Sequence, residues 1–184
     1  MSRLAIYDEQ GSLLGDVITE HTIGDKLHPL GVRFEQWEVK RPLDKNAQME
    51  EVVAAYGDQV SRLTGEYGFE SMDVVSMLPD NPKREELRAK FLDEHIHSDF
   101  EVRFFVEGRG LFYLHVADKV YLVLCEQGDL IVVPANIAHW FDMGREPDFK
   151  CIRLFLIPDG WVAQSTGSNI AQRFPDFDQF VSQT

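Results

Sequence analysis

The sequence predicts a mainly β protein, an antiparallel barrel of the jelly-roll type with a few helices, most of them before the barrel. Between residues 95 and 157, short alternating apolar segments follow one another, separated by turn residues and without a helical pattern. Helical periodicity is concentrated before this region, at about residues 46–92. The 184 residues suit one domain, which we place over residues 1–184 with a barrel core at about 93–158.

The residues before the barrel predict two short strands and two helices. Leu4 and Ile6 indicate a strand that turns at residues 10–12, and residues 32–37 indicate a further strand or loop. The first helix is predicted to begin at Asn46 and to end near Gly68. Its periodic apolar positions are Met49, Val52, Val53, Tyr56, Val60 and Leu63.

The second helix is predicted over residues 83–92, with Asn81 as its cap and Glu86 four residues before Lys90. An extended segment at residues 69–78 precedes it. The barrel strands are predicted at residues 101–107, 111–116, 120–125, 129–133 and 151–157, with turns at 108–110, 117–119 and 126–128. The tail is expected to pack only partly, with a short helix around residues 174–181.

Charge and composition exclude several classes of partner. Lysine and arginine total 18 against 31 aspartate and glutamate residues, a net charge of −13, so binding to nucleic acid or to an anionic membrane is disfavoured. No apolar run is long enough to span a membrane, and no export signal is evident, which favours the cytoplasm. Cys125 and Cys151 are expected to be free, buried thiols. Because copies of this acidic chain repel one another, a monomer is mildly favoured. The expected partner is a small molecule.

A cluster of ligand-type residues begins the barrel region. His95, His97, Glu101 and Arg103 are all odd-numbered, so in an extended strand their side chains would share one face. A bend at residues 98–99 could leave the same groups convergent. His139 follows a strand that ends in a proline-containing turn, and it offers a third imidazole. The residues therefore predict a metal site of three histidines and one carboxylate.

This ligand set indicates a divalent ion rather than structural zinc held by thiolates. Four protein ligands on an octahedral ion leave two positions for an oxygen-rich substrate, and Fe(II), Ni(II), Mn(II) and Co(II) all fit. From the residues alone, Arg103 is expected to form an ion pair with Glu101 or Glu107 or to bind an anionic group. The other histidines are expected on the surface or in hydrogen bonds: His21, His28 and His115. Flanking aromatic residues either wall the pocket or fill the core: Phe100, Phe104, Phe105, Trp140 and Phe141.

The block from His95 to Gly108 and the block from Gly128 to His139 resemble the two motifs of the cupin superfamily. A narrower resemblance, to the acireductone dioxygenases of methionine salvage, rests on the opening strand that ends at Tyr7 and Asp8, on Trp37 and on three longer stretches, and it covers nearly the whole chain. These stretches are residues 94–110, 134–144 and 153–155. The resemblance implies a cupin barrel that binds one Fe(II) or Ni(II) per chain.

The implied substrates are O2 and the acireductone 1,2-dihydroxy-3-keto-5-methylthiopentene. The Fe(II) form would give 2-keto-4-methylthiobutyrate and formate, and the Ni(II) form methylthiopropionate, formate and carbon monoxide. The implied metal ligands are His95, His97, Glu101 and His139. Arg103 falls on the family's substrate-binding arginine, whereas Glu94 and Phe100 fall on positions that affect metal incorporation and conformational relay. Two alternatives remain open: another metal-dependent cupin enzyme, an isomerase or decarboxylase, and a non-enzymatic cupin that binds sugar or metal.

Overall fold

The computed structural model describes residues 1–15, 17–19, 22–39, 43, 47–157 and 162–183. Over these ranges, eleven strands pair in antiparallel fashion, which confirms the predicted fold class. The strands are β1 (Arg3–Asp8), β2 (Ile18–Thr19), β3 (Arg33–Gln36), β4 (Ser71–Met77), β5 (His95–Ile96), β6 (Glu101–Val116), β7 (Lys119–Glu126), β8 (Asp129–Val133), β9 (Ala138–Asp142), β10 (Phe149–Phe155) and β11 (Gln164–Ser165). The helices are α1 (Ile23–Leu27), α2 (Met49–Tyr67), α3 (Arg84–Phe91) and α4 (Phe177–Ser182). None of the described helices has the length and apolarity needed to cross a bilayer.

The strands form two sheets that share β6. The first sheet has the order β11-β5-β9-β6-β7-β1-β2, and the second has the order β4-β10-β6-β8-β3. Because side chains alternate along a strand, one face of each sheet points into a common core. This barrel core combines residues of both sheets, among them Phe105, Phe112, Phe141 and Phe149.

Strand β6 corrects one prediction, because the turn expected at residues 108–110 is absent from it. Gly108 has a φ of +70°, and a Cβ atom there would lie 1.8 Å from the carbonyl oxygen of Asp148. A Cβ atom on Gly110 would lie 2.3 Å from the Phe141 ring. These glycines therefore permit close packing within a continuous strand, and they do not reverse the chain. The register with β10 shifts between Lys150 and Cys151, so a β-bulge accompanies the passage of β6 between the sheets.

Helix α2 covers the outer face of the second sheet. Four predicted apolar positions are buried against that sheet, whereas Met49 is exposed; the buried positions are Val52, Tyr56, Val60 and Leu63. The predicted cap Asn46 lies outside the described residues, and the helix begins with a capping box between Gln48 and Glu51. It ends at Gly68, which takes the left-handed conformation as predicted.

Helix α3 begins near its predicted position. The predicted cap Asn81 is not the N-cap, which is Lys83; the Asn81 side chain instead accepts a hydrogen bond from the Lys83 amide at 2.9 Å, within the turn before the helix. The predicted pair of Glu86 and Lys90 is present, with 3.2 Å between Oε1 and Nζ. The chain thus reaches β5 from a short amphipathic helix.

The tail packs only partly, as predicted. Residues 162–169 are exposed throughout. The apolar residues beyond them are buried against the outer face of the first sheet, where the ring of Phe174 lies edge-on to Tyr7. These buried residues are Ile170, Phe174, Phe177 and Phe180. The hydroxyl of Tyr113 also donates to the carbonyl of Pro175 at 2.8 Å. Mainly aromatic side chains, three or four residues apart, therefore bind the second half of the tail to the sheet.

Asp142 joins three elements at the end of β9. Its fully buried carboxylate accepts two hydrogen bonds from Arg88 of α3, at 2.6 and 2.9 Å. It also accepts one from the Gly144 amide and one from the Phe177 amide at the start of α4, each at 2.9 Å. Burial would raise the pKa of Asp142, but Arg88 and the two amides hold it below its ordinary value.

Candidate metal centre

Strands β5 and β9 bring the three predicted histidines together. His95 lies directly opposite His139 in the pairing of β5 with β9, and His97 follows β5 immediately. Each of the three side chains offers one ring nitrogen, and these atoms lie within 4.8 Å of one another. All three residues are buried, with 2–6% of their surface exposed. Such spacing suits three nitrogen ligands around one ion.

Glu101 reaches the same place from the first residue of β6. Its Oε2 atom lies 3.5 Å from Nε2 of His97. The segment between the two residues is not a strand, because β5 has only two residues and the chain bends at Ser98 and Asp99. The bent alternative is therefore the one observed; the three imidazoles form one group, and Glu101 lies beside it, in contact with His97.

Asp99 fixes this bend, although the sequence reasoning did not select it. One carboxylate oxygen accepts a hydrogen bond from the Phe100 amide at 2.7 Å. The other accepts from the amides of Leu156 and Ile157, at 2.7 and 3.1 Å. Asp99 is 3% exposed, so these contacts anchor the histidine-bearing loop to the end of β10. An aspartate beside a serine, a pair typical of turns, was the available signal.

Backbone carbonyls orient two of the imidazole rings. Nδ1 of His95 lies 2.7 Å from the carbonyl oxygen of Asp93, and Nδ1 of His139 lies 2.7 Å from that of Ile137. If each Nδ1–H donates to its carbonyl, each Nε2 remains available as a ligand atom. Nε2 of His139 is buried and has no hydrogen-bond partner among the described residues. A buried, unpaired ring nitrogen facing two other imidazoles fits a metal ion.

The protonation states also suit metal binding. Burial lowers the pKa of His139 to about 4 and lowers that of His95 as well. Burial would raise the pKa of Glu101, but the charge of Arg103 and the neighbouring imidazoles outweighs it and lowers the pKa. At neutral pH these two imidazoles are therefore neutral and the carboxylate is ionised, which are the forms that coordinate metals.

The two thiols lie in the barrel core and do not join this cluster. Cys125 and Cys151 are free and buried, and burial raises the pKa of both thiols. Neutral thiols are poor ligands. The donor set therefore consists of imidazole nitrogen and carboxylate oxygen, which suits a borderline divalent ion of the first transition series.

Arg103 lies beside the cluster and forms the predicted ion pair. Its Nη2 atom is 2.7 Å from Oε1 of Glu101, so the ion pair that was weighed as an alternative exists. Its Nη1 atom is buried and has no hydrogen-bond partner within the described part of the chain. One end of the guanidinium thus holds Glu101, and the other end keeps a donor for an anionic group.

Glu94 is buried beside His95 and is held by two side chains. Thr166, next to β11, donates a hydrogen bond to Oε1 at 2.7 Å, and Nδ1 of His115 lies 2.6 Å from Oε2. Nε2 of His115 also lies 3.1 Å from a Glu9 oxygen, so this histidine is hydrogen-bonded, as expected. Glu94 therefore connects the edge strand of the site to the tail.

The flanking aromatic residues divide between inside and outside. Phe105 and Phe141 belong to the barrel core beneath the site. Phe104 packs outward against Trp37 and Tyr56, at centroid distances of 4.7 and 4.8 Å. The other two also lie outside the barrel core: Phe100 in the cluster under α2, and Trp140 in the cluster under the tail. Of the two remaining histidines, His28 is exposed and His21 lies outside the described residues.

Comparison with known proteins agrees with the fold and the site. The sequence model of the ARD/ARD' family matches residues 3–163. The acireductone dioxygenase of Aquifex aeolicus (strain VF5) is 54% identical over 182 residues, covering 99% of this chain and all of that protein (100%). That of Methylococcus capsulatus (strain ATCC 33009 / NCIMB 11132 / Bath) is also 54% identical over 182 residues, covering 98% of each chain.

A solved structure shows the same similarity at the level of the fold. The acireductone dioxygenase from Bacillus anthracis, with a cadmium ion in its active center, superposes with a TM-score of 0.80 at 30% identity. The match covers 89% of this chain and 98% of that one. Fold and site together define a protein of the cupin class with a candidate metal centre. Within that class, the chain belongs to the ARD/ARD' family: it is a member of the acireductone dioxygenases, which are oxygenases.

Proposed function

We propose that this chain cleaves the acireductone 1,2-dihydroxy-3-keto-5-methylthiopentene with O2 as a cytoplasmic enzyme of methionine salvage. The observation that carries the proposal is the buried convergence of three imidazoles and one carboxylate beside a guanidinium with an unused donor. Relatives that are 54% identical over 182 residues and bear the name acireductone dioxygenase support the same substrate class.

In this proposal, four side chains hold one Fe(II) or Ni(II) per chain: His95, His97, Glu101 and His139. When bound, a divalent ion would supply a Lewis acid that the ionised ene-diol oxygens of the substrate could chelate. Glu101 stays ionised because Arg103 lies 2.7 Å from it, so the site keeps an anionic ligand at neutral pH.

Arg103 has the second role, which is to bind the substrate anion. Its Nη1 donor points to no described protein acceptor, and its charge is permanent, so it is suited to hold an enolate oxygen. Because the guanidinium is already fixed by Glu101, little reorganisation is needed when the negative charge develops. The buried Phe105 and Phe141 of the barrel core keep the inner side of the site apolar and exclude water.

The metal determines the products in this proposal. With Fe(II) we expect 2-keto-4-methylthiobutyrate and formate, and with Ni(II) methylthiopropionate, formate and carbon monoxide. The test is to reconstitute metal-free protein separately with each ion, to supply acireductone and O2, and to identify the products. Different products from the two forms would support the proposal.

Two results would overturn it. If no acireductone is consumed although one metal ion per chain is measured, the substrate assignment is wrong. If the substrate is converted under argon at the same rate as in air, the reaction is an isomerisation or decarboxylation and not a dioxygenation.

A further inference from the structure

A row of charged residues crosses the second sheet beside the metal centre. Arg153 of β10 lies directly opposite Asp73 of β4 on one side and directly opposite Arg103 of β6 on the other. Glu101 is two residues before Arg103 on β6 and forms an ion pair with it. We call these four residues the charge row. Two guanidinium groups thus occupy neighbouring positions in the sheet, which requires a reason because like charges repel.

The charge row faces the inside of the barrel. Phe149 and Cys151 precede Arg153 by four and two residues, and both belong to the barrel core. Phe105 follows Arg103 by two residues and belongs to the same core. Because side chains two residues apart point to the same face of a strand, Arg103 and Arg153 both point inward.

Arg153 is held firmly in this position. Its Nε atom donates to Oδ1 of Asp73 at 2.7 Å, and its Nη2 atom donates to Oδ2 of the same carboxylate. Its guanidinium carbon also lies 5.2 Å from the centre of the Phe155 ring. A bidentate pair and an aromatic contact fix the charge in space, so it acts on the interior as a stationary field source.

Exposure rises along the charge row from the metal centre outward. The side chains are 8% exposed at Glu101, 10% at Arg103, 18% at Arg153 and 42% at Asp73. Asp73 is therefore the better solvated partner, and Arg153 is the member nearer the metal centre. Burial raises the pKa of the Cys151 thiol, and Arg103, with a smaller contribution from Arg153, opposes this rise. The positive charge of Arg153 thus contributes to the electrostatic potential inside the barrel.

The negative net charge of the chain makes a local positive potential useful for the approach of an anionic substrate. That net charge is −13, so an anionic substrate meets overall repulsion as it approaches. We propose that Arg153 is a substrate-steering residue, which draws the ionised acireductone along the charge row towards Arg103 and the metal centre. This inference rests on the proposed function. It assigns Arg153 to the approach of the substrate, and Arg103 to its binding.

The direction in which two single substitutions change kcat/KM tests the inference. Arg153→Gln and Asp73→Asn both break the same ion pair, so a structural role would change activity in the same direction. Steering predicts opposite directions. At low salt we expect kcat/KM to fall about threefold to tenfold in Arg153→Gln and to rise about twofold in Asp73→Asn, with kcat within about twofold in both. The differences should vanish near ~0.5 M salt, where charges are screened within a few ångströms.

Arg62→Gln is the matched control. Arg62 also pairs with a carboxylate, Glu35 at 3.0 Å, and lies 5.5 Å from an aromatic ring, that of Trp37. It lies on the outer helix α2, so its substitution changes the net charge equally without changing the barrel interior. We expect its kcat/KM and its salt dependence to match those of the wild type.

A second measurement does not depend on turnover. The association rate of acireductone with the metal-loaded protein is followed without O2 by stopped-flow absorbance, and it should fall in Arg153→Gln by the same factor as kcat/KM. The inference is overturned if both ion-pair variants lower kcat/KM alike, if Arg153→Gln keeps the wild-type salt dependence, or if Arg62→Gln has an equal effect. Failure of the wild type to consume acireductone would instead refute the proposed function itself.

Discussion

Replacement of Arg103 by methionine is the most informative single change at the site. The guanidinium has one nitrogen 2.7 Å from Glu101 and a second, buried nitrogen without a protein partner. If that second nitrogen donates to the developing enolate, its loss removes one pre-organised donor. Removal of one such donor from a water-excluded site typically lowers kcat by about 10²–10³-fold, or ~3–4 kcal/mol. The four proposed metal ligands remain, so we expect about one metal ion per chain to be retained.

The assay combines O2 uptake with metal analysis of the same samples. Arg103→Lys is the companion variant, because it keeps the charge but lacks the planar fork that contacts two partners at once. We expect it to recover only part of the lost kcat. The reasoning is refuted if metal content falls in proportion to activity, since Arg103 would then act by holding Glu101. An unchanged kcat would equally show that the free nitrogen does not contact the substrate.

Three further changes test the site and the fold. Glu101→Ala should weaken metal binding by more than the ~10–100-fold that is typical of residues that only orient ligands. The affinity is measured by competition with a chelator. Glu107→Ala, on the same strand, should leave the affinity unchanged. Phe180→Ala should lower the free energy of unfolding by about 3–5 kcal/mol in urea, because this tail residue is 2% exposed; a change below ~1 kcal/mol would show that the tail is peripheral. The pKa of Asp142 is lowered in the folded state. The ionised carboxylate therefore stabilises the folded state at pH values above its ordinary pKa of 3.8, and this contribution is lost as the pH falls through the folded-state pKa. Urea titrations from pH 7 to pH 3 should show this loss in the wild type, and Asp142→Asn should be less stable at pH 7 with a weaker pH dependence.

Local patterns were enough to predict most of the barrel. Strand β8 occupies the predicted residues 129–133, and α3 lies within one residue of its predicted bounds. The reason is that alternation, turn residues and helical spacing are all short-range properties of the chain. The same reasoning selected the four convergent side chains at the site, because two of the imidazoles and the carboxylate lie within seven residues of one another.

The features that were not predicted have a different origin, since each of them depends on contacts between residues that are far apart in the sequence. Gly108 resembles a turn glycine in the sequence, but a glycine is needed there because the backbone of Asp148, just before β10, approaches it closely. His115 was correctly expected to be hydrogen-bonded, but its partners were not identified, because Glu94 and Glu9 are 21 and 106 positions away. No local pattern encodes such pairings.

The tail helix was predicted, whereas β9 was not predicted as a strand. Phe174, Phe177 and Phe180 recur at three-residue intervals, which indicates one apolar face, and the helix predicted around residues 174–181 is present as α4. In β9, His139, Trp140 and Phe141 were considered only as a candidate ligand and as flanking aromatic residues. Four of the five residues of β9 are buried, so the strand shows no alternation of apolar and polar residues.

The position of β1 in the first sheet has a consequence for synthesis of the protein. This strand lies between β2 and β7, and Arg3 pairs with Leu124, which follows it by 124 − 3 = 121 residues. At a translation rate of about 5–20 residues per second, β1 leaves the ribosome roughly 6–24 s before its partner is made. During that interval, Leu4 and Ala5, which are fully buried in the finished fold, remain exposed. Chaperone binding and aggregation therefore compete for the nascent chain until β7 arrives.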